Sequence, residues 1–289
     1  MNILITGGSG FLGNALVQHL LAPRATLKSS RICILSRGEH AQAAMRERFN
    51  DDKRLRFFIG DVRDAQRLRR AFTGVDLVIH AAALKRIEVG FYNPLEMAKT
   101  NIDGTSNVIE AAQDAGVARV VYVSSDKACE PIGAYGLSKA YGEALILAAN
   151  NTTDETDFSV VRYGNVWCST GSVVPKWLGM LSRGITQLPV TSLEATRFFM
   201  RAEEAVNLVL NTAQTMSGGE IAIPDLPAYR VGDLVKALNA DAKLIGLPSW
   251  EKLHESLSPG NSSDKARRMT VSELWEELNE ANAALQIAA

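Results

Sequence analysis

Cysteine is scarce in this chain of 289 residues: there are three (Cys33, Cys129 and Cys168), and no two form a CxxC pair. An odd, dispersed set argues against a disulfide framework and against a structural zinc site. An excess of either charge is also missing. Thirty-one Lys and Arg stand against 32 Asp and Glu, a net charge of −1. The basic surplus of a nucleic-acid binder is therefore absent. No run approaches the ~18 uncharged apolar residues of a membrane span. The opening MNILITGGSGFLG lacks a basic n-region and does not read as a signal peptide. The expectation is a cytoplasmic protein with no metal, no nucleic-acid partner and no membrane insertion. What is present is ordinary globular composition, 46% hydrophobic and 22% charged, in a chain long enough for one large or two small domains.

Short β-branched runs alternate with helical patterns in the first half. Residues 2–6 (NILIT), 31–36 (RICILS), 55–59 (LRFFI), 76–80 (DLVIH), 119–124 (RVVYVS) and 158–162 (FSVVR) read as strands. Near-continuous apolar runs suit strands covered on both faces of a parallel sheet. Helical patterns fill 10–21, 41–49, 65–72, 94–115 and 135–149. This alternation implies right-handed βαβ units and an α/β fold with a doubly wound parallel (Rossmann) sheet. The second half is less regular. Residues 203–212, 231–238 and 272–285 read as helices, 220–223 as a strand, and the polar stretch 258–264 (SPGNSSD) as a mobile loop.

The first strand runs into Thr6-Gly7-Gly8-Ser9-Gly10-Phe11-Leu12-Gly13 and then a helix. Gly7, Gly10 and Gly13 have the spacing of a dinucleotide cradle. The early glycines allow a tight turn with close backbone approach, the last allows helix–strand packing, and a pyrophosphate sits on free N–H groups at the helix start. The second strand ends Leu35-Ser36-Arg37. An acidic residue there would hold a ribose 2′-hydroxyl, whereas a hydroxyl and a guanidinium suit a 2′-phosphate, so NADP is expected over NAD. Asp61 and Val62, after the third strand, are placed for the adenine edge.

Tyr135 and Lys139 form a YxxxK pair on one helix face. A nearby ammonium stabilises phenolate, making Tyr135 a usable base for a sugar hydroxyl. Ser124 and Ser125 end the preceding strand, where a hydroxyl would face the same pocket.

With these motifs in order, the chain resembles an extended short-chain dehydrogenase/reductase, and more narrowly the inverting nucleotide-sugar 4,6-dehydratases that act on UDP-N-acetylglucosamine. The likeness runs through His80-Ala81-Ala82-Ala83-Leu84-Lys85, Asn93-Pro94-Leu95-Glu96, Lys99-Thr100-Asn101-Ile102 and Ser124-Ser125-Asp126-Lys127-Ala128. It continues through Arg162-Tyr163-Gly164-Asn165-Val166, Gly171-Ser172-Val173-Val174-Pro175, Thr196-Arg197-Phe198 and Glu251-Lys252-Leu253-His254-Glu255. The resemblance implies an NADP-binding domain over 1–165, completed by parts of 198–225, and a smaller C-terminal substrate-binding subdomain over 166–289. It implies cofactor contacts from Gly7, Ser9, Gly10, Phe11, Leu12, Gly13, Ser36, Arg37, Asp61 and Val62. Ala81, Ala82, Ala83, Lys85, Asn101, Ser124, Tyr135, Lys139, Tyr163, Asn165 and Val166 complete that set. Asp126 would be the acid for the departing C6 hydroxyl and Lys127 the base for the C5 proton, beside Tyr135, Lys139 and Ser125. Retaining sugar dehydratases resemble this family but carry Asp-Glu in place of Asp126-Lys127. Substrate contacts would come from Lys85, Asp126, Lys127, Tyr135, Asn165, Ser172, Val173 and Thr191. For Arg197 two roles stay open, phosphate contact or structural salt bridge. Family counterparts pair the helices at 94–115 and 135–149 across a homodimer, or within a larger homo-oligomer.

Two segments depart from the family pattern. Cys168-Ser169-Thr170-Gly171-Ser172 stands where the family reads Gly-Ser-Arg-Gly-Ser, and Pro248-Ser249-Trp250 where it reads Arg-Pro-Gly. Each removes an arginine suited to a diphosphate. The alternatives are a 4-epimerase or keto-sugar reductase on the same scaffold, and a non-enzymatic NADP-binding regulator.

Overall fold

A computed structural model describes residues 1–287 and divides the chain into two compact units, Met1–Tyr163 with Ala202–Pro224, and Gly164–Arg201 with the chain from Asp225 onward. The first unit opens with β1 (Asn2–Thr6), α1 (Phe11–Leu21), β2 (Arg31–Ser36), α2 (Glu39–Arg48), β3 (Leu55–Ile59), α3 (Ala65–Phe72) and β4 (Leu77–His80). It continues through α4 (Ile87–Tyr92), α5 (Pro94–Ala98), a π-helical turn (Lys99–Asp103), α6 (Gly104–Asp114), β5 (Arg119–Val123), a 3-10 turn (Asp126–Ala128), α7 (Ala134–Ala149) and β6 (Asp157–Val161). The chain then builds β7 (Asn165–Val166), α8 (Val173–Leu181), β8 (Gln187–Val190) and β9 (Thr196–Met200) of the second unit. It returns to the first with α9 (Ala202–Thr215) and β10 (Ile221–Ala222). It ends with β11 (Ala228–Arg230), α10 (Val231–Ala237), β12 (Asp241–Leu244), β13 (Ser256–Ser258), β14 (Asn261–Ser262) and α11 (Val271–Ile287).

In the first unit seven strands form one parallel sheet in the order β10-β6-β5-β4-β1-β2-β3. The order reverses between β1 and β4, which brings the carboxyl ends of both strands to a topological switch point, where ligands bind in such sheets. Ile3, Leu4 and Ile5 of β1 and Ile32, Cys33 and Ile34 of β2 are buried, as the unbroken apolar runs require. One core layer joins Leu68, Phe72, Val108, Ala112, Tyr122, Ile146 and Phe158.

Three expectations are corrected. The helix anticipated over 94–115 is interrupted by the π-helical turn, because Asn101 is pulled inward and its side chain bonds the backbone of Leu84. Ser124 lies beyond the end of β5. The stretch 258–264 is not a bare loop: β13 and β14 pair as a hairpin around Gly260 (φ +83°), and Ser263 is buried. Ser263 Oγ accepts from the Glu255 N–H at 2.9 Å and lies 2.6 Å from Thr196 Oγ1.

In the second unit β9 pairs with β7 and β11, and β8 with β12. Its core gathers Val174, Trp177, Leu188, Val190, Phe199, Tyr229, Leu234 and Leu274. Cys168 sits at φ +55°, a left-handed conformation that costs a non-glycine residue roughly 1–2 kcal/mol. It occupies the position where the family pattern has glycine.

Candidate active site

The glycine turn is dictated by contacts that only hydrogen can make. Gly7 has φ +67°, and a Cβ there would lie 2.9 Å from Ala82 Cα, two residues past the end of β4. Its N–H donates to Leu35 O at 2.8 Å, stitching the turn to β2. A Cβ on Gly13 would meet Gly8 O at 2.1 Å. Gly10 is the N-cap of α1 and supplies no side-chain cap, so the first N–H groups of the helix, around Phe11 and Leu12, carry the orphan donors of an uncapped N-terminus. A backbone cradle without side-chain bulk, at the positive end of a helix, fits a dinucleotide pyrophosphate.

Beside it, Ser9 Oγ donates to Ser36 Oγ at 2.9 Å. Arg37 is exposed, with Asp61 as its ion-pair neighbour at 3.9 Å. Burial pushes the Asp61 carboxyl up, but hydrogen bonds from Arg63 and the charges of Arg63 and Arg37 outweigh it and hold the group below its ordinary range. Val62 is buried against Gly104, and its carbonyl accepts from Asn107 Nδ2 at 3.0 Å. Ala81, Ala82 and Ala83 follow β4, with Lys85 exposed just beyond.

The catalytic candidates gather where β5 hands over to α7. Ser124, expected among the cofactor contacts, turns its hydroxyl to a carboxylate. Its Oγ donates at 2.5 Å to Glu143 Oε1, which also accepts from Arg162 Nε at 2.8 Å. Ser124 therefore supports a buried ion pair. Ser125 Oγ donates to Asp126 Oδ1 at 2.8 Å, and Lys127 Nζ donates to the same oxygen at 3.0 Å. The Asp126 side chain is 1% exposed and that of Lys127 17%. The Asp126 N–H is anchored to Tyr163 O at 2.9 Å. A Cβ on Gly136 would fall 2.4 Å from Lys127 O, so the helix carrying Tyr135 packs directly on the turn carrying Asp126 and Lys127. Lys139 is buried one helical turn after Tyr135. Its Nζ donates to Val123 O at 2.6 Å and lies 3.9 Å from the centre of the Tyr122 ring. Burial drives its pKa down to about 7, and the Glu143 carboxylate partly opposes the shift.

A chain of buried hydrogen bonds ties these parts together. The Ala82 N–H donates to Thr6 Oγ1 at 3.2 Å, and Thr6 Oγ1 lies 2.7 Å from His80 Nδ1. His80 Nε2 lies 3.1 Å from Thr105 Oγ1, and Thr105 donates to Asn101 O at 2.7 Å. Since the threonine hydrogen is engaged there, Nε2 is the protonated ring nitrogen and Nδ1 accepts from Thr6. Asn101 then bonds both Leu84 N–H and Leu84 O, and its Nδ2 donates to Ser138 Oγ, which donates to Tyr135 O at 2.8 Å.

The remaining expected site residues belong to the second unit. Asn165 and Val166 form β7, Ser172 stands at the N-cap position of α8 without a side-chain capping bond, Val173 begins that helix, and Thr191 follows β8. Of the two roles left open for Arg197, the geometry takes the structural one. The guanidinium is buried, bonds Thr196 O at 2.7 Å and Leu253 O at 3.0 Å, and pairs with Glu251. Sequence reasoning gave no role to Glu143, and quoted Arg162 only within a motif of the resembled family. Glu143 had a legible signal: it continues the Tyr135–Lys139 stripe by one more turn of an otherwise apolar helix.

A doubly wound sheet with a glycine cradle, a buried YxxxK lysine and a hydroxyl beside it defines the extended short-chain dehydrogenase/reductase class. Within that class the chain belongs to the family described as polysaccharide biosynthesis protein, whose model matches residues 3–274. It is 44% identical over 266 residues to a UDP-N-acetylglucosamine 4,6-dehydratase (inverting) of Campylobacter jejuni, covering 91% of this chain and 78% of that protein. It is 40% identical over 272 residues to a UDP-glucose 4-epimerase of Rickettsia bellii, covering 91% and 79%. Among solved structures, Pen from Bacillus thuringiensis superposes with a TM-score of 0.89 at 32% identity, over 96% of this chain and 98% of that one.

Proposed function

We propose that the protein is an NADP-dependent nucleotide-sugar 4,6-dehydratase that inverts C5, with UDP-N-acetylglucosamine or a close UDP-N-acetylhexosamine as substrate. The observation that carries this reading is the convergence of Ser125 and Lys127 on one carboxylate oxygen of Asp126, packed against the helix of Tyr135 and Lys139. The dehydratase of Campylobacter jejuni supports the substrate class.

The dinucleotide, when bound, supplies hydride removal from C4 and its return at C6. Tyr135 takes the 4-hydroxyl proton, with the Lys139 ammonium favouring the phenolate. The resulting ketone acidifies the C5 hydrogen. Lys127 in its amine form removes that proton while Asp126 in its acid form protonates the departing C6 hydroxyl. These forms hold the same number of protons as the ammonium–carboxylate pair and differ from it by one transfer along the 3.0 Å bond between Lys127 Nζ and Asp126 Oδ1. The elimination restores the ion pair: the lysine has gained the C5 proton, and the aspartate has lost one to water. C5 is then reprotonated on the opposite face by the proton that Tyr135 took from the 4-hydroxyl, which returns the tyrosine to phenolate and closes the proton balance.

The competing reading, 4-epimerisation, is favoured by the Rickettsia relative. It requires no proton transfer at C5 or C6. Mass spectrometry after incubation with UDP-N-acetylglucosamine separates the two, since dehydration removes one water and epimerisation leaves the mass unchanged. Lys127→Met should lower the rate of water loss by about 10²–10⁴-fold with dinucleotide binding unchanged. Adding Asp126→Asn should recover stability without recovering water loss, because a buried pair is harmed more by losing one charge than by losing both. Wild-type turnover with unchanged substrate mass would overturn the reading.

The same reading includes a homo-oligomer. Leu137, Tyr141, Ala144 and Ala148 form an exposed stripe along α7, and Tyr92 and Leu95 are 79% and 74% exposed.

A further inference from the structure

Gln42 is a buried polar residue with no part in the chemistry above. It lies on α2, and its Nε2 is 2.9 Å from Phe58 O, 3.2 Å from Ser36 O and 2.9 Å from Ser36 Oγ. Two of these partners are main-chain carbonyls, which only accept, so the amide is oriented with its NH₂ toward them. An amide nitrogen offers no lone pair, and Ser36 Oγ therefore accepts from it. Ser9 Oγ donates to the same oxygen at 2.9 Å.

With both lone pairs engaged, the Ser36 hydroxyl has only its hydrogen left to give, and among the described residues no acceptor meets it. Reversing the Ser9–Ser36 bond moves the surplus hydrogen to Ser9, and the pair still presents one outward O–H. The end of β2 is thus a donor site. Next to it stands the Arg37 guanidinium, 57% exposed, whose neighbour Asp61 is already held at 2.7 Å by Arg63. A ribose 2′-hydroxyl has a hydrogen to place and is recognised by an acceptor such as a carboxylate. A 2′-phosphate has only acceptor oxygens and matches a hydroxyl donor beside a guanidinium.

We propose that Gln42 is a specificity-determining residue for the dinucleotide: by filling a lone pair of Ser36 Oγ it fixes that serine as a donor to the 2′-phosphate. Gln42 acts through Ser36 and does not itself touch the cofactor. The inference rests on the NADP reading above and adds the residue that enforces it.

Calorimetric titration with NADP⁺ and with NAD⁺, on the purified full chain without sugar substrate, tests it. Wild type should bind NADP⁺ more tightly. Gln42→Met should weaken NADP⁺ by about tenfold, the value of one charge-assisted hydrogen bond, and leave NAD⁺ within about twofold. Ser36→Ala should do the same, and Gln42→Met added to Ser36→Ala should not move the NADP⁺/NAD⁺ ratio further. Gln42→Asn, whose shorter amide falls short of Ser36, replaces the methionine variant if that one does not fold. Equal weakening of both dinucleotides would show a merely structural role and overturn the proposal, as would additive effects in the double variant. A wild type that prefers NAD⁺ would instead remove the NADP reading itself, and that result is visible before any variant is made.

Discussion

His80 sits wholly inside the first unit, hydrogen-bonded on both ring nitrogens. Burial, with a smaller contribution from the Lys139 charge, lowers its pKa from 6.5 to about 3. An unfolded chain protonates this histidine near 6.5 and the folded chain only near 3, so between those values the unfolded state binds more protons. Unfolding free energy should therefore fall as pH drops from 6.5 toward 3, by up to about 1.4 kcal/mol per pH unit from this group, with no contribution above 6.5. Urea unfolding between pH 7 and 4.5 should show a shallower decline for His80→Asn than for wild type, although the variant starts less stable at pH 7. Parallel declines would mean that His80 is not the source. At this scale the four-residue spacing put Tyr135 and Lys139 on one helix, as the structure has them, whereas Asp126 and Lys127 stood out only through the family resemblance. The bond from Ser124 to Glu143 left no trace, because a strand end does not show which distant carboxylate its hydroxyl meets; Glu143 lies nineteen positions on. Gln42 was silent for the same reason, since this helical residue finds its partners on two strands, β2 and β3.

Elements carry the positioning. The 3-10 turn of Asp126 and Lys127 is held from below by the Tyr163 carbonyl and from the side by α7, where Gly136 leaves no room for a methyl group against Lys127 O. Gly136→Ala must push the turn and the helix apart, since the obstacle is backbone. We expect about 1–3 kcal/mol of destabilisation, as for other overpacked sites, and a fall in kcat of about tenfold or more from displaced proton-transfer groups. Dinucleotide affinity, set at the glycine turn, should hold. Thermal melts, steady-state kinetics and cofactor titration separate these effects, and an unchanged kcat would show that the close contact does not position the chemistry. Element type was legible across the first unit because βαβ periodicity is strong there. The π-helical turn was not, because it arises from Asn101 reaching for Leu84, a contact with no trace in local periodicity. The strands of the second unit were missed because most are two to four residues long, too short for alternation to register. The longer β9 is buried at every position and shows no alternation at all.

For the whole molecule, the stripe on α7 is the feature a solitary chain explains least. Buried positions of this helix include Gly136, Ser138, Lys139, Gly142, Glu143 and Ile146, so its inward face carries polar machinery while Leu137 and Tyr141 point to solvent. That inverts the usual amphipathic arrangement, and an exposed apolar stripe of this kind marks an interaction surface. A second copy of the chain is the occupant implied by the family resemblance, and a two-fold contact would place the stripe against itself. Introducing like charges into a self-complementary surface sets each against its own copy, so Leu137→Glu with Tyr141→Glu should be strongly dissociating. Light scattering coupled to size exclusion should report a dimer or larger assembly for wild type and a monomer for the variant. Because the opposite face of α7 carries Tyr135 and Lys139, the monomer should also lose turnover while circular dichroism stays unchanged. A wild type that runs as a monomer at micromolar concentration would show that the stripe serves another partner or none.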